Sequence, residues 1–79
     1  MDRTIKLIWD FYGDDAQFFA EHHQKHLNEF AHKENLALKN TSTEKIGDHH
    51  FIACLLAKES QVFMIRDAVK PKRAELIEE

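Results

Sequence analysis

Residues 14–36, DDAQFFAEHHQKHLNEFAHKENL, form the longest stretch of this sequence with a clear helical period. At about 100° per residue, seven mostly apolar side chains fall on one side of the segment. These are Ala16, Phe19, Ala20, His23, Leu27, Phe30 and Ala31. Asp14 and Gln17 have the spacing of a capping box, which is typical of a helix start. The pattern predicts an amphipathic helix from Asp14 to about Glu34 that packs its apolar side against a sheet.

Two other segments have the patterns of strands. Residues 4–12 alternate in hydrophobicity, which predicts a strand that ends at Gly13. Its strongly apolar face carries Ile5, Leu7, Trp9 and Phe11. Residues 50–57 are apolar on both faces, as expected for a central strand that is covered on both sides.

The segment between the helix and the central strand is less regular. Residues 36–38, Leu-Ala-Leu, indicate the entry to a strand, and the Thr and Ser residues that follow suit an edge strand up to Ile46. Gly47-Asp48 fits a hairpin turn, because glycine adopts a positive φ at little cost.

Residues 60–69 have two interpretations. A helix capped at Ser60 buries Val62, Ile65 and Val69 and leaves Phe63 and Met64 partly outward. A strand makes residues 61–66 the return leg of a hairpin. Lys70-Pro71 favours the helix, since proline ends helices, and residues 73–78 then form a short final strand.

The resulting order of elements predicts a single α+β domain, residues 1–79, with a ferredoxin-like βαββα(β) arrangement. In it the first and third strands pair antiparallel at the centre of the sheet, and both helices lie on one face. The other face carries Ile8, Tyr12 and half of the 50–57 strand, which cannot all face water. A second copy of the chain would cover it, so we expect a homodimer.

The layout and the segment HHQKHLNEF, residues 22–30, resemble the dimeric α+β barrel superfamily. Its members are small ferredoxin-like subunits that pair sheet to sheet, and some carry a histidine on the first helix or on the sheet. The resemblance implies a dimer with a cleft between helix and sheet. It implies no particular activity, because the sequence contains no complete catalytic motif of the superfamily.

Charge and composition argue against several classes of protein. The net charge of −3 gives no general attraction to nucleic acid or to an anionic membrane. The basic cluster at residues 70–73 is followed at once by Glu75, Glu78 and Glu79, which indicates a solvated terminus. The first residues lack the apolar run of a signal peptide, and no segment has the length of a membrane span.

Cys54 is the single cysteine of the chain and lies in the apolar run FIACLLA. An intramolecular disulfide and a cysteine-based zinc cluster are therefore excluded. We expect a buried, unreactive thiol and a reducing, cytoplasmic location.

His22, His26 and Glu29 are the first candidate site. Their i, i+4, i+7 spacing brings them to one side of the helix, where two imidazoles can hold a divalent transition metal such as zinc, nickel or copper. The alternative is a solvent-exposed side of the helix that carries two i, i+4 ion pairs, Glu21–Lys25 and Glu29–Lys33. No other cofactor is indicated.

His23 is the second candidate, because it lies within the apolar stripe of the helix. A buried histidine has its pKa lowered by desolvation. It is then either a core residue with satisfied nitrogens or a near-neutral general base in a cleft.

The third candidate combines His49 and His50 with Asp10 and Tyr12. Antiparallel pairing of the first and third strands brings these residues to one end of the sheet. A carboxylate, a phenol and an imidazole there can bind a small polar molecule or orient a base. The alternative to a binding site is an ordinary polar rim of the sheet.

Two functional hypotheses follow from these patterns. The first is a homodimer that binds a small molecule or metal through histidines in a helix–sheet cleft, with His23 and His50 as the candidate catalytic residues and enzymatic activity left open. The second is a structural or protein-interaction module with Phe18, Phe63 and Met64 as contact residues and incidental histidines.

Overall fold

A computed structural model describes residues 3–36 and 40–77 of the chain. In this part the elements are β1 (Thr4–Tyr12), α1 (Ala16–Lys33), β2 (Thr41–Gly47), β3 (His50–Lys58), α2 (Val62–Val69) and β4 (Arg73–Ile77). The described residues thus form one four-stranded antiparallel sheet with two helices, which confirms the predicted α+β class. None of the helices in these ranges is long and apolar enough to cross a membrane.

β1 and β3 lie at the centre of the sheet, whose strand order is β2-β3-β1-β4. They pair antiparallel along their full length, from Thr4 opposite Lys58 to Tyr12 opposite His50. The expected central pairing of the first and third strands is therefore confirmed. Odd-numbered residues of both strands share one face, and even-numbered residues share the other, because side chains alternate along a strand.

The odd-numbered face carries both helices and the main core. Leu7 and Leu55 from the sheet, Leu27 from α1 and Ile65 from α2 belong to one buried cluster. Burial of each such side chain contributes about 1.5–3 kcal/mol of stability relative to exposure. Trp9 also donates a 2.8 Å hydrogen bond from its indole nitrogen to the carbonyl of Val69, which ties the end of α2 to β1.

The even-numbered face, called here the open face, has a smaller apolar centre. Ile8, Ile52 and Cys54 form a separate cluster and are 1–2% exposed within the single chain. These three side chains therefore need no second copy to remove them from water. Tyr12, on the same face, is 72% exposed.

α1 begins later than predicted and without the expected capping box. Its N-cap residue is Asp15, whose side chain makes no capping hydrogen bond. Gln17 instead donates to Glu21, and Asp14 lies 3.3 Å from His49. Phe19 is also more exposed than the apolar stripe suggested, at 50%. The prediction failed because acidic residues near a helix start have other available partners.

The end of α1 is a Schellman motif. The backbone N–H groups of Leu36 and Asn35 donate to the carbonyls of Ala31 and His32 at 3.0 and 3.2 Å. Asn35 adopts a φ of 51°, and Leu36 and Ala31 are both buried in the main core. Leu36 thus closes the helix rather than entering a strand, and residues 37–38, the rest of the predicted entry, lie outside the described ranges.

The hairpin between β2 and β3 turns one residue later than predicted. Gly47 still pairs with His50, after a register shift between Lys45 and Gly47. The turn residues are therefore Asp48 and His49.

The segment before β4 is helical, as predicted. A short 3₁₀ turn, Glu59–Gln61, precedes α2, so Ser60 lies in that turn instead of capping the α-helix. Phe63 and Met64 point outward, at 66% and 39% exposure, while Ile65 is fully buried. Lys70 ends the helix with a φ of 48°.

Candidate functional site

A polar cluster of Asp10, His50, Arg73 and Tyr12 lies at one end of the open face. β1 and β3 place Tyr12 opposite His50, and β1 and β4 place Ile8 opposite Arg73. Directly opposite residues share a face, so His50 and Arg73 reach Asp10 on this face and Tyr12 lies against His50. The predicted grouping of Asp10 and Tyr12 with a histidine is therefore present in the structure.

Asp10 is the hub of the cluster. Arg73 donates to both oxygens of its carboxylate, from Nε to Oδ2 and from Nη2 to Oδ1, each at 3.1 Å. His50 Nε2 lies 2.8 Å from Oδ1. Paired N–H bonds from a guanidinium to a carboxylate are among the stronger polar contacts in proteins.

These contacts fix the charge of Asp10. The Arg73 hydrogen bonds lower the pKa of the Asp10 carboxyl, His50 adds to the effect, and partial burial opposes it. Asp10 in turn raises the pKa of Arg73. At neutral pH the carboxylate is therefore ionised and accepts a hydrogen bond from the Nε2–H group of His50.

His50 is held on two sides. Its Nε2 faces Asp10, and the ring of Tyr12 stacks on it with centroids 4.3 Å apart and planes 20° from parallel. A neutral imidazole that donates from Nε2 carries its lone pair on Nδ1. The arrangement thus leaves Nδ1 as the nitrogen that can accept a hydrogen bond.

His49, which the sequence predicts at this site, lies apart from it. It occupies the hairpin turn, and its Nε2 is 3.3 Å from Asp14, a side chain that is 94% exposed. Its backbone carbonyl accepts a 2.9 Å hydrogen bond from Gly13, which joins the turn to the end of β1. The contacts of His49 are therefore structural ones at the turn.

Arg73 is the site residue that sequence reasoning missed. Its position as the first residue of a final strand was predicted, but the register of that strand against β1 was not. Only the pairing of Ile8 with Arg73 brings the guanidinium to Asp10. In the sequence, Arg73 belongs to the basic cluster of residues 70–73, which indicates only a solvated terminus.

His23 lies on the other side of the sheet from His50. It projects from α1 toward the odd-numbered residues Trp9 and Phe11, with ring centroids 5.0 and 5.6 Å away. The two candidate catalytic histidines therefore do not share a site, and only His23 lies between helix and sheet.

The Nε2 atom of His23 is buried and has no hydrogen-bond partner. Desolvation lowers the pKa of the ring, and the nearby His26 and His22 lower it further. His23 is thus a half-buried histidine with one buried, unsatisfied nitrogen, and desolvation favours its neutral form.

His22 and His26 meet on the exposed flank of α1, with their Nε2 atoms 3.0 Å apart. Glu29 does not join them as a third ligand, because its carboxylate lies 3.7 Å from Nδ1, the other nitrogen of His26. Within residues 3–36 and 40–77 no group of three or more His, Cys, Asp or Glu side chains is arranged to hold a metal ion.

Cys54 matches its expected environment. The thiol is buried, and burial raises its pKa. A thiol of this kind stays protonated and is a poor nucleophile.

Comparisons of the chain with protein-family models, with curated proteins and with solved structures found no match. The function is therefore argued from the geometry of the sites.

Proposed function

We propose that this chain is a ferredoxin-like subunit that binds a small polar molecule at the cluster of Asp10, Tyr12, His50 and Arg73, with His50 and Tyr12 as the contacting residues. The observation that carries the proposal is the fixed orientation of His50. Its Nε2 is held 2.8 Å from a carboxylate that Arg73 also binds, and its ring face is covered by Tyr12. Preorganised polar groups of this kind bind ligands at little cost in side-chain entropy.

The chemistry of the cluster defines the class of ligand. Nδ1 of His50 accepts a hydrogen bond, and the Tyr12 hydroxyl both donates and accepts. The Asp10 carboxylate is already occupied by Arg73 and His50, so it orients the site instead of contacting the ligand. The ligand that fits this cluster is a small molecule with a hydrogen-bond donor.

A fragment screen by ligand-observed NMR tests the proposal. We expect fragments with N–H or O–H donors to bind the wild-type protein and to lose binding in His50→Gln. His49→Gln is the matched control, since it removes the neighbouring histidine outside the cluster and should bind the same fragments. Equal binding by the wild type and by His50→Gln would reject this site.

The ferredoxin-like assignment, the homodimer and the cytoplasmic location are parts of the same proposal. The element order, and β1 and β3 at the sheet centre, support the first. The exposed Tyr12 ring on the open face and the small size of the chain support pairing with a second copy. The buried, protonated Cys54 thiol is compatible with a reducing compartment.

A second candidate function is a protein-interaction module. Phe18 and Phe63 are 64% and 66% exposed, and Met64 is 39% exposed. Large apolar side chains in water are typical of contact surfaces. Under this alternative Phe18→Asp abolishes assembly with a partner, while His50→Gln has no effect on it.

A further inference from the structure

The exposed flank of α1 carries a pair of imidazoles that the proposed ligand site does not use. His22 and His26 are one helical turn apart, and their Nε2 atoms face each other at 3.0 Å. The His26 side chain is 59% exposed, so ions in solution can reach the pair. We propose that these two nitrogens form a chelate for Cu²⁺ or Ni²⁺, whose remaining coordination positions are filled by water.

The distance between the nitrogens favours these ions. Imidazole nitrogens bind such metals at about 2.0–2.1 Å, so two ligands at a right angle lie about 2.9 Å apart and two at a tetrahedral angle about 3.4 Å apart. The observed 3.0 Å is closer to the right angle. Square-planar or tetragonal coordination by nitrogen and oxygen is characteristic of Cu²⁺ and Ni²⁺, and Cu²⁺ binds such sites most tightly.

Glu29 does not bind the metal in this site but acts on His26. Its carboxylate lies 3.7 Å from Nδ1 of His26 and favours a proton on that nitrogen. The lone pair of His26 is then on Nε2, where the metal binds. At 3.7 Å the carboxylate makes no hydrogen bond to the ring, but its negative charge next to a ligating histidine strengthens metal binding without touching the ion.

Metal binding requires one rearrangement of protons. In the metal-free pair one Nε2 donates to the other, since two lone pairs cannot face each other at 3.0 Å without a proton between them. When the metal binds, that proton moves through solvent to Nδ1 of the same ring, and both Nε2 lone pairs then bind the ion. The helix backbone need not move, because the i, i+4 spacing already aligns the rings.

Calorimetric titration of untagged protein with NiSO₄ and with CuSO₄, in a non-coordinating buffer, tests the site. We expect one ion per chain, with tighter binding of Cu²⁺ than of Ni²⁺. His22→Gln and His26→Gln should each weaken binding by at least tenfold. Glu29→Gln should weaken it several-fold and keep the stoichiometry.

His32→Gln is the matched control, because His32 is an exposed histidine of the same helix outside the pair. It should bind both ions like the wild type. Circular dichroism should show unchanged helix content in all four variants. Absence of binding by the wild type, or unchanged binding in His22→Gln, would overturn the proposal, and neither result bears on ligand binding at His50.

Discussion

His23 is the residue whose local environment has the clearest energetic consequence. Its Nε2 is buried without a partner between α1 and the sheet. A buried polar atom left unsatisfied costs about 1–3 kcal/mol. Phenylalanine keeps an aromatic ring beside Trp9 and Phe11 and removes that atom. We therefore expect His23→Phe to raise the free energy of unfolding at pH 7.5 by about 1 kcal/mol, measured by urea denaturation.

The same residue makes stability depend on pH. The pKa of His23 is lowered in the folded state from its ordinary value of 6.5, so the unfolded chain binds the proton first. The contribution of His23 to the free energy of unfolding is therefore full above pH 6.5. It is lost as the pH falls through the pKa of the folded state. The Asp10 carboxyl affects the free energy of unfolding only at lower pH, because its pKa is lowered from an ordinary value of 3.8.

His23→Phe should consequently reduce the loss of stability between pH 7.5 and pH 5.5, while His32→Gln should retain it. Urea denaturation at the two pH values measures both. An equal loss in His23→Phe and in the wild type would mean that His23 is not held neutral in the folded chain.

The ends of the helices were harder to predict from the sequence than the helices themselves. The periodicity of residues 14–36 predicted α1, because burial of an apolar side fixes a helix over many residues. Its first turn depends on single hydrogen bonds, and Asp14 pairs with His49 across a hairpin that is distant in sequence. Local spacing cannot predict such a competing partner.

Two non-glycine residues in the left-handed region end the helices, and they allow a prediction about these elements. Asn35 has a φ of 51° and Lys70 a φ of 48°. Glycine adopts this conformation without steric cost, and asparagine tolerates it better than lysine. Lys70→Gly should therefore stabilise the chain by up to about 1 kcal/mol, and Asn35→Gly by less.

Thermal unfolding followed by circular dichroism measures both changes. Lys70→Ala is the control, since it shortens the side chain and keeps the strained φ, and it should give no stabilisation. A lower melting temperature for Lys70→Gly than for the wild type would contradict the prediction.

For the whole molecule, the sequence predicted the layers of the fold better than the register of every strand within the sheet. Alternation in residues 4–12 and the doubly apolar residues 50–57 predicted the two central strands and their pairing. The register of β4 could not be predicted, because its short, largely polar strand has no strong pattern to fix it. Arg73, which completes the Asp10 cluster, was missed for that reason.

A further prediction concerns the assembly of the molecule. If two copies pair through their open faces, sedimentation should give twice the chain mass of 9.3 kDa. Tyr12→Glu adds a charge to that face and should produce the monomer. Phe18→Asp lies on α1, in the helix layer, and should leave the dimer intact. The reverse result, a monomer from Phe18→Asp alone, would favour assembly through the helix layer.

The fixed orientation of His50 by Asp10 and Tyr12 is the central claim about this molecule. Long-range ¹H–¹⁵N correlation spectra of ¹⁵N-histidine protein at pH 8 report which ring nitrogen carries the proton. We expect His50 to carry it on Nε2, and Asp10→Leu to remove this preference because no carboxylate then accepts it. A wild-type His50 with its proton on Nδ1, or an unchanged spectrum in Asp10→Leu, would contradict the claim.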